Sequence, residues 1–401
     1  MTTTVVTGLG VVAPNGMGHE EFWSASLGSR SGIGEITRFD ASSYPARLAG
    51  QVADFDPRRH LPARLVPQTD LSTQFALTAA DWALTDGGVD PSALVDYDMG
   101  VVTSSAFGGF EFTHREFAKL WSKGPEFVSV YESFAWFYAV HTGQVSIRHG
   151  LRGPSKALVA EQAGGLDAIG HARRTIVDGT PMVVTGGADS ALDPWGWTAL
   201  LAGGRVSPYG YRPFDREASG HVPGEGGVML VLEDAEAARG RGAPQVYGEI
   251  AGHASTFDPP PGSPRPPGLR RAVELALADA GVAPHEVDVV FADAAGVPGL
   301  DRQEADVIRA VFGPGGVPVT APKTLTGRLF SGGGPLDVVA ALLTVRDGVV
   351  PPTADTVEVP RDYGIDLVRG EPRHVPVSTA LVLARGKWGF NAAVVVRAYN
   401  D

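Results

Sequence analysis

The chain has 401 residues, 43% of them apolar and 19% charged, which is the composition of a folded globular protein with room for two or three domain-sized units or one duplicated domain. A formal charge of −12 without a long basic run argues against nucleic acid as a partner and offers an acidic carrier little to bind over most of the surface. With 0 cysteines, disulfides, thiolate metal sites and a cysteine nucleophile are excluded.

In chain order, residues 4–12 (TVVTGLGVV) read as a strand buried on both faces, and no basic segment precedes an apolar run, so no signal peptide is expected. Residues 72–88 place apolar side chains at helical spacing and stop at a double glycine; residues 99–105 read as the next strand. In AFGGFEFTHREFAKLW (106–121), Phe110, Thr113 and Phe117 stand at i, i+3 and i+7, one face of a helix, which on residue type alone reads as core packing. The stretch 128–150 is rich in aromatic side chains, among them Phe134, Trp136 and Phe137. It is core, or it is a surface that needs a cover, because such a stretch left bare on a soluble monomer is a liability. LVAEQAGGLDAIGHARR (158–174) reads as a short strand, a tight turn and an amphipathic helix, with Gln162 on the bend and His171 as a packing or surface residue.

Further strands are expected at 181–189, 226–234, 287–296 and 379–386, and helices at 269–282 and 335–350. Alternating strands and helices predict α/β layers with both sheet faces covered. The order is doubled: a helix, a strand and a Gly-containing loop in the first half recur in the second. A Pro-rich stretch at 256–268 marks a surface loop near the join. The halves are set at 1–243 and 244–401, packed together rather than flexibly linked. Asp215 and Glu225 read as braces of a loop rather than an acid/base pair, and no His/Asp/Glu spacing makes a metal site. No window of about 18 apolar residues predicts a membrane span, so a cytoplasmic protein is expected.

VVTGLGVVAPNG (5–16), RHGLRGPS (148–155), RPFDREASGHVPGEGGVMLVLED (212–234) and PKTLTGRLFSGGG (322–334), in that order, resemble the β-ketoacyl synthases of the thiolase superfamily over nearly the whole chain. The resemblance implies a thiolase-like α/β fold, two duplicated halves forming a five-layer α-β-α-β-α core. That family condenses acyl chains by decarboxylation, with a cysteine at a strand-to-helix bend and two histidines from the second half. Helix N-terminal amides at such a bend lower a thiol pKa from roughly 8.5 towards neutrality and can donate to a developing oxyanion. By position the cysteine falls on Gln162. The first histidine falls on Ala295 in DAAGVPGLD, with two loop residues fewer after it, and the second on Arg328, whose motif lysine is kept as Lys323. The family's Gly-Phe-Gly-Gly-x-Asn loop reads GKWGFN, with Lys387 in place of a gating phenylalanine.

Glutamine in place of cysteine on a kept bend is the pattern of the chain length factor, the ketosynthase beta subunit of type II aromatic polyketide synthases. This resemblance implies a non-elongating subunit in an obligate heterodimer with a ketosynthase alpha subunit. An acyl carrier protein would present its phosphopantetheine arm and the growing poly-β-keto chain, with no cofactor bound covalently to this chain. The resemblance makes Phe110, Thr113 and Phe117 a tunnel gate, for a product of about octaketide size by similarity to chain length factors with the same face. It sets Phe134, Trp136 and Phe137 at or near the heterodimer interface. Gln162 then has two readings. It fills the void left by the thiol and hydrogen-bonds nearby amides, or its carboxamide polarises a malonyl thioester and the subunit decarboxylates malonyl-carrier protein to prime the complex. Arg328 pairs with a carboxylate and occupies the vacated pocket, or it touches a thioester or carboxylate of the substrate. A homodimeric ketosynthase with an unusual nucleophile is a third and poorer reading.

Overall fold

The computed structural model describes residues 2–95, 97–260 and 262–400. Ten of its strands carry the architecture: β1 (Thr4–Ala13), β2 (Met99–Ser104), β3 (Ser155–Leu158), β4 (Met182–Asp189), β5 (Gly226–Asp234), β6 (Gly248–Phe257), β7 (Val289–Phe291), β8 (Pro318–Thr320), β9 (Thr379–Arg385) and β10 (Phe390–Arg397). They run side by side in the order β8-β7-β9-β10-β6-β1-β5-β4-β2-β3. Each half therefore repeats one pattern, in which the first strand is followed by the last, the fourth, the second and the third. In both halves the first two of these pairings are antiparallel and the last two parallel. The first strands of the halves meet each other where Val5 and Val6 pair with Glu249 and Gly248. The doubling expected from the sequence is thus a duplication of topology.

Helices fill three layers around the strands. Helix α1 (Leu71–Asp86) covers the outer face of the first half, and α4 (Leu269–Ala280) with α5 (Pro298–Phe312) covers that of the second. Helix α3 (Gly164–Val177) and α6 (Gly333–Asp347) lie between the two sheets. Side chains alternate along the strands as the pleat requires. Val228, Leu230 and Leu232 of β5 enter the middle layer, while Met229 and Val231 enter the outer one. On β9, Ala380, Val382 and Ala384 face the middle, and Leu381 and Leu383 face outward. Both sheet faces being covered explains why the strands read as continuous apolar runs. Helix α6 is buried from Gly333 to Thr344, so its sequence is apolar on every side. The remaining helix used below is α2 (Phe110–Lys123).

Most expected elements occur within a few residues of their expected ends. The exception is the strand expected over 287–296, which stops at Phe291. Beyond it the backbone turns away to bond side chains: Glu304 accepts the N–H groups of Asp293 and Ala294, at 2.7 and 2.9 Å, and Asp301 accepts that of Gly296 at 3.0 Å. Valine-rich propensity loses to these buried carboxylates.

The middle layer depends on glycine at the helix starts. A Cβ at Gly165 would lie 2.2 Å from the Ser331 carbonyl oxygen and 2.3 Å from Pro335. Gly165→Ala is therefore expected to force α3 and α6 apart and lower stability by about 1–3 kcal/mol, or more if the layer cannot shift. Gly299→Ala, where nothing lies within 4 Å of the added methyl, is expected to be neutral or slightly stabilising. Urea unfolding of the two variants side by side checks the contrast.

Candidate functional site

Strand β3 leads into a single tight turn, Glu161–Ala163, from which α3 starts. Glu161 has φ = 52°, in the left-handed region, a strained conformation worth about 1–3 kcal/mol for a residue with a Cβ. The turn is tied down on both sides. Ser104 donates its hydroxyl to the Leu158 carbonyl at 3.0 Å and meets the Ser331 hydroxyl at 3.0 Å, and Ser331 in turn donates to the Glu161 carbonyl at 3.3 Å. The Glu161 carboxylate oxygen Oε2 accepts two backbone N–H groups, from Gln162 at 3.0 Å and from Lys387 at 2.8 Å.

Gln162 is fully buried. Its side chain lies on the start of α6: a Cβ at Gly333 would be 2.2 Å from its Nε2 atom. Neither Nε2 nor Oε1 has a hydrogen-bond partner, so the expectation that the carboxamide bonds nearby amides is not met. The N–H groups of Gln162 and Ala163 are turned to the Glu161 carboxylate and the Ala160 carbonyl, and the carboxamide faces Gly333. An unpaired buried amide carries a desolvation cost of about 1–3 kcal/mol.

The positions Ala295 and Arg328 come together in front of this turn. Ala295 is buried on the loop after β7, and the guanidinium of Arg328 reaches across that loop. It donates to the Asp293 carbonyl at 3.0 Å, to the Asp293 carboxylate at 2.7 Å and to the Arg385 carbonyl at 2.7 Å. Arg385 adds an ion pair to Asp293 at 3.2 Å and one to Glu304 at 3.0 Å. Lys323 pairs with Asp337 at 2.6 Å and donates to the Ala292 carbonyl at 2.7 Å. Burial alone would raise the Asp293 carboxyl, but the cations of Arg328, Arg385 and Lys323 hold it well below the usual carboxylate range. Of the two readings of Arg328, pairing with a carboxylate is the arrangement present. Removing one member of such a buried network typically costs about 3–5 kcal/mol, because the partner charge is left unpaired.

Two cavities meet at this point. One, of about 370 Å³, is lined by Ala295, Arg328, Asp293 and Asn391 among others. The second, of about 340 Å³, is walled by Phe107, Phe110, Phe330, Lys387 and Trp388. Glu161, Arg205, His221 and Phe390 line both, whereas Gln162 lines neither. Asp189 fixes the second wall by accepting N–H groups from Ala106, Phe107 and Ser331 at 2.9, 3.1 and 2.9 Å, and burial pushes its carboxyl up to about 7.

Phe110 and Phe117 of α2 converge on one ring: Trp195 lies 4.9 Å from Phe110 and 6.0 Å from Phe117, between centroids. Thr113 on the same face is buried and borders neither cavity. The aromatic stretch after α2 is only partly core. Ala135, Val140 and Val145 are buried, but Trp136 and Phe137 are each 48% exposed, and Phe134 is half-buried against Tyr131. Trp121, Phe127 and Val130 are exposed nearby in sequence. Glu225 accepts from Arg38, Ser190 and the Val52 amide, and Asp215 holds the amides of Val357 and Glu358, so both are braces. Among the described residues no cluster of three His, Asp or Glu could hold a metal ion, and no helix is long and apolar enough to cross a membrane.

Sequence reading passed over Glu161 and His221. The signal for Glu161 was a charged residue directly before Gln162 on the bend. His221 lay inside the quoted 212–234 motif, where it was taken as loop. Burial, together with Arg328 and against the pull of Asp293, pushes the His221 imidazole down to about 3. Burial likewise pushes His141 down to about 4.

A model of the N-terminal domain of β-ketoacyl synthases matches residues 1–238, and one of their C-terminal domain matches residues 247–356. The chain is 66% identical over 402 residues to the actinorhodin polyketide β-ketoacyl synthase 2 of Streptomyces coelicolor, covering 99% of each chain. It is 58% identical over 402 residues to the tetracenomycin polyketide synthase ketoacyl synthase beta subunit of Streptomyces glaucescens, covering 99% of this chain and 98% of that one. Among solved structures, the ishigamide ketosynthase/chain length factor superposes with a TM-score of 0.92 at 26% identity, over 100% of both chains. A complex of a type II polyketide synthase acyl-carrier protein with its ketosynthase, bound to the hexaketide, gives 0.89 at 26% identity, over 99% of this chain and 100% of that one.

Two outcomes check this geometry. Gly333→Ala, whose methyl would meet Gln162, is expected to cost about 1–3 kcal/mol, and much less when Gln162→Ala is already present. A double-mutant cycle by urea unfolding reads the coupling, and additive effects would contradict the contact. The second concerns pH. His221 is neutral when folded but takes a proton near 6.5 when unfolded, so its contribution is present above about 6.5 and is lost as pH falls towards 3. At about 1.4 kcal/mol per pH unit, His221→Phe is expected to lose about 2 kcal/mol less than the native chain between pH 7 and 5. Comparing the two chains isolates this group, because Asp189 and Asp301, both pushed up to about 7 by burial, act in the opposite direction.

Proposed function

The chain belongs to the β-ketoacyl synthase family, and from that premise we propose that it is the chain length factor, the ketosynthase beta subunit, of a type II polyketide synthase. The observation that carries this reading is the pairing of a retained bend with Gln162, Ala295 and Arg328, none of which can attack a thioester carbonyl. The subunit elongates nothing itself. It pairs with a ketosynthase alpha subunit whose cysteine carries the growing poly-β-keto chain, and an acyl carrier protein delivers malonyl units on its phosphopantetheine arm. The complex is cytoplasmic and makes polyketide antibiotics or related aromatic products.

Its contribution is shape. The exposed Trp136 and Phe137, with Phe134 behind them, supply the apolar surface an obligate heterodimer buries. The rings of Phe110 and Phe117 on α2 and of Trp195 on the helix Pro194–Ala202 form a stiff block beside that surface, and Thr113 is buried on the same face of α2. A chain advancing from the partner's cysteine along this face stops against the block, at about octaketide length. At the former condensation site Ala295 offers no acid or base, and Arg328 is paired with Asp293 beside the open cavity. The alternative, decarboxylation of malonyl-carrier protein through Gln162, draws only on the unpaired carboxamide, which lines neither of the two cavities.

The test is the product of the reconstituted complex. Phe117→Ala is expected to lengthen the polyketide by one or two malonyl units with the heterodimer intact, read by mass spectrometry of released products. An unchanged length would remove Phe117 from the gate. Failure of the chain to co-purify with a ketosynthase would remove the reading as a whole.

A further inference from the structure

Two backbone N–H groups from opposite halves of the chain, Gln162 on the turn before α3 and Lys387 after β9, converge on one oxygen atom. Amides aimed together at a single point form a cradle for a negatively charged or strongly polarised oxygen. Here the oxygen is the chain's own, Oε2 of Glu161. The left-handed backbone of Glu161 folds the side chain back over the following peptide, which is what allows it to accept from its neighbour's N–H. The same residue stands at the junction of both cavities, and Gln162, directly behind it, borders neither.

We propose that Glu161 is an internal stopper: its carboxylate occupies the two-amide cradle, separates the two cavities and denies carboxylate and thioester groups access to Gln162. The closure explains how a protein can keep a buried, unpaired carboxamide on a former reaction site without exposing it. It also accounts for the retained cradle, since the amides are satisfied internally rather than lost. The inference deepens the reading of a non-elongating subunit and rests on it for the identity of the complex, but the occupied cradle itself is a property of this chain. Without Glu161 the cradle would accept one small carboxylate, with Arg205, which lines both cavities, supplying positive charge.

The experiment uses the purified heterodimer with the partner's active-site cysteine replaced by alanine, and malonate as the probe. Isothermal titration calorimetry is run on the native chain, Glu161→Ala and Glu161→Gln. Glu161→Ala is expected to gain one malonate site per heterodimer, at least tenfold tighter than any binding by the native complex. Glu161→Gln, whose carboxamide oxygen can accept the same two N–H groups, is expected to behave as native. Equal binding by all three overturns the proposal, as does a gain in the glutamine variant equal to that in the alanine variant. Should Glu161→Ala not assemble, hydrogen exchange on the native heterodimer decides: the Gln162 and Lys387 amides are expected to be protected, and rapid exchange at either one overturns the stopper. Heterodimer recovery and product length are read separately, so a failure of the subunit assignment shows there and not in the malonate titration.

Discussion

The close approach of the two buried helices α3 and α6 is the constraint on which the rest depends. Their N-terminal ends meet at glycines, with Gly165 against the Ser331 carbonyl and Gly333 against the carboxamide of Gln162. A side chain at either glycine would have to displace backbone or a buried amide. Because both helices start at this meeting point, the turn carrying Gln162 and the segment carrying Arg328 are brought to one place from opposite halves of the chain. A duplicated topology puts the same feature of each half, the end of its third strand, at the centre of the molecule.

Charge then decides what this centre can do. A ketosynthase site needs groups that change protonation or attack carbon. Here Asp293 is surrounded by Arg328, Arg385 and Lys323, and Glu304 and Asp337 complete the balance. The neighbouring cations outweigh burial at Asp293 and hold its carboxyl well below the usual range, while burial raises the Glu304 carboxyl and pushes that of Asp337 up to about 6. His221 does not restore that chemistry, since burial beside Arg328 keeps it neutral far below its ordinary range. The buried charges are paired with one another, and the exposed aromatic surface lies elsewhere, on the residues around and after α2. Rings held by one another, as Phe110 and Phe117 are through Trp195, resist displacement better than single side chains.

Much of the fold was legible in the sequence because its strands are buried on both faces and its helices end at glycines. Strand β5 was read to the residue, and α1 and α4 to within two residues at either end. Strands β6 and β10 and helix α5 were not singled out, although β6 joins the halves by pairing with β1. The first is interrupted by polar residues such as His253 and Ser255, and the second follows β9 after only a short turn, so neither stands out as a separate apolar run. The over-long strand at 287–296 shows the reverse failure, where apolar residues bend because Glu304 and Asp301, distant by a helix turn or more, claim their amides.

By itself the sequence determined the layered α/β class, its doubling, the bend at Gln162 and the absence of a Cys-His-His set, because these follow from residue type and local periodicity. It could not decide what the replacements touch. That Arg328 spans Asp293 and the Arg385 carbonyl, that the Gln162 carboxamide has no partner, and that Glu161 accepts an amide 226 residues away are outcomes of packing two halves together. Nor could it tell core from cover in the aromatic stretch, since Ala135 and Trp136 are adjacent in sequence yet one is buried and the other exposed. Local pattern sets which elements form; only tertiary contact sets which polar groups are satisfied, and by whom.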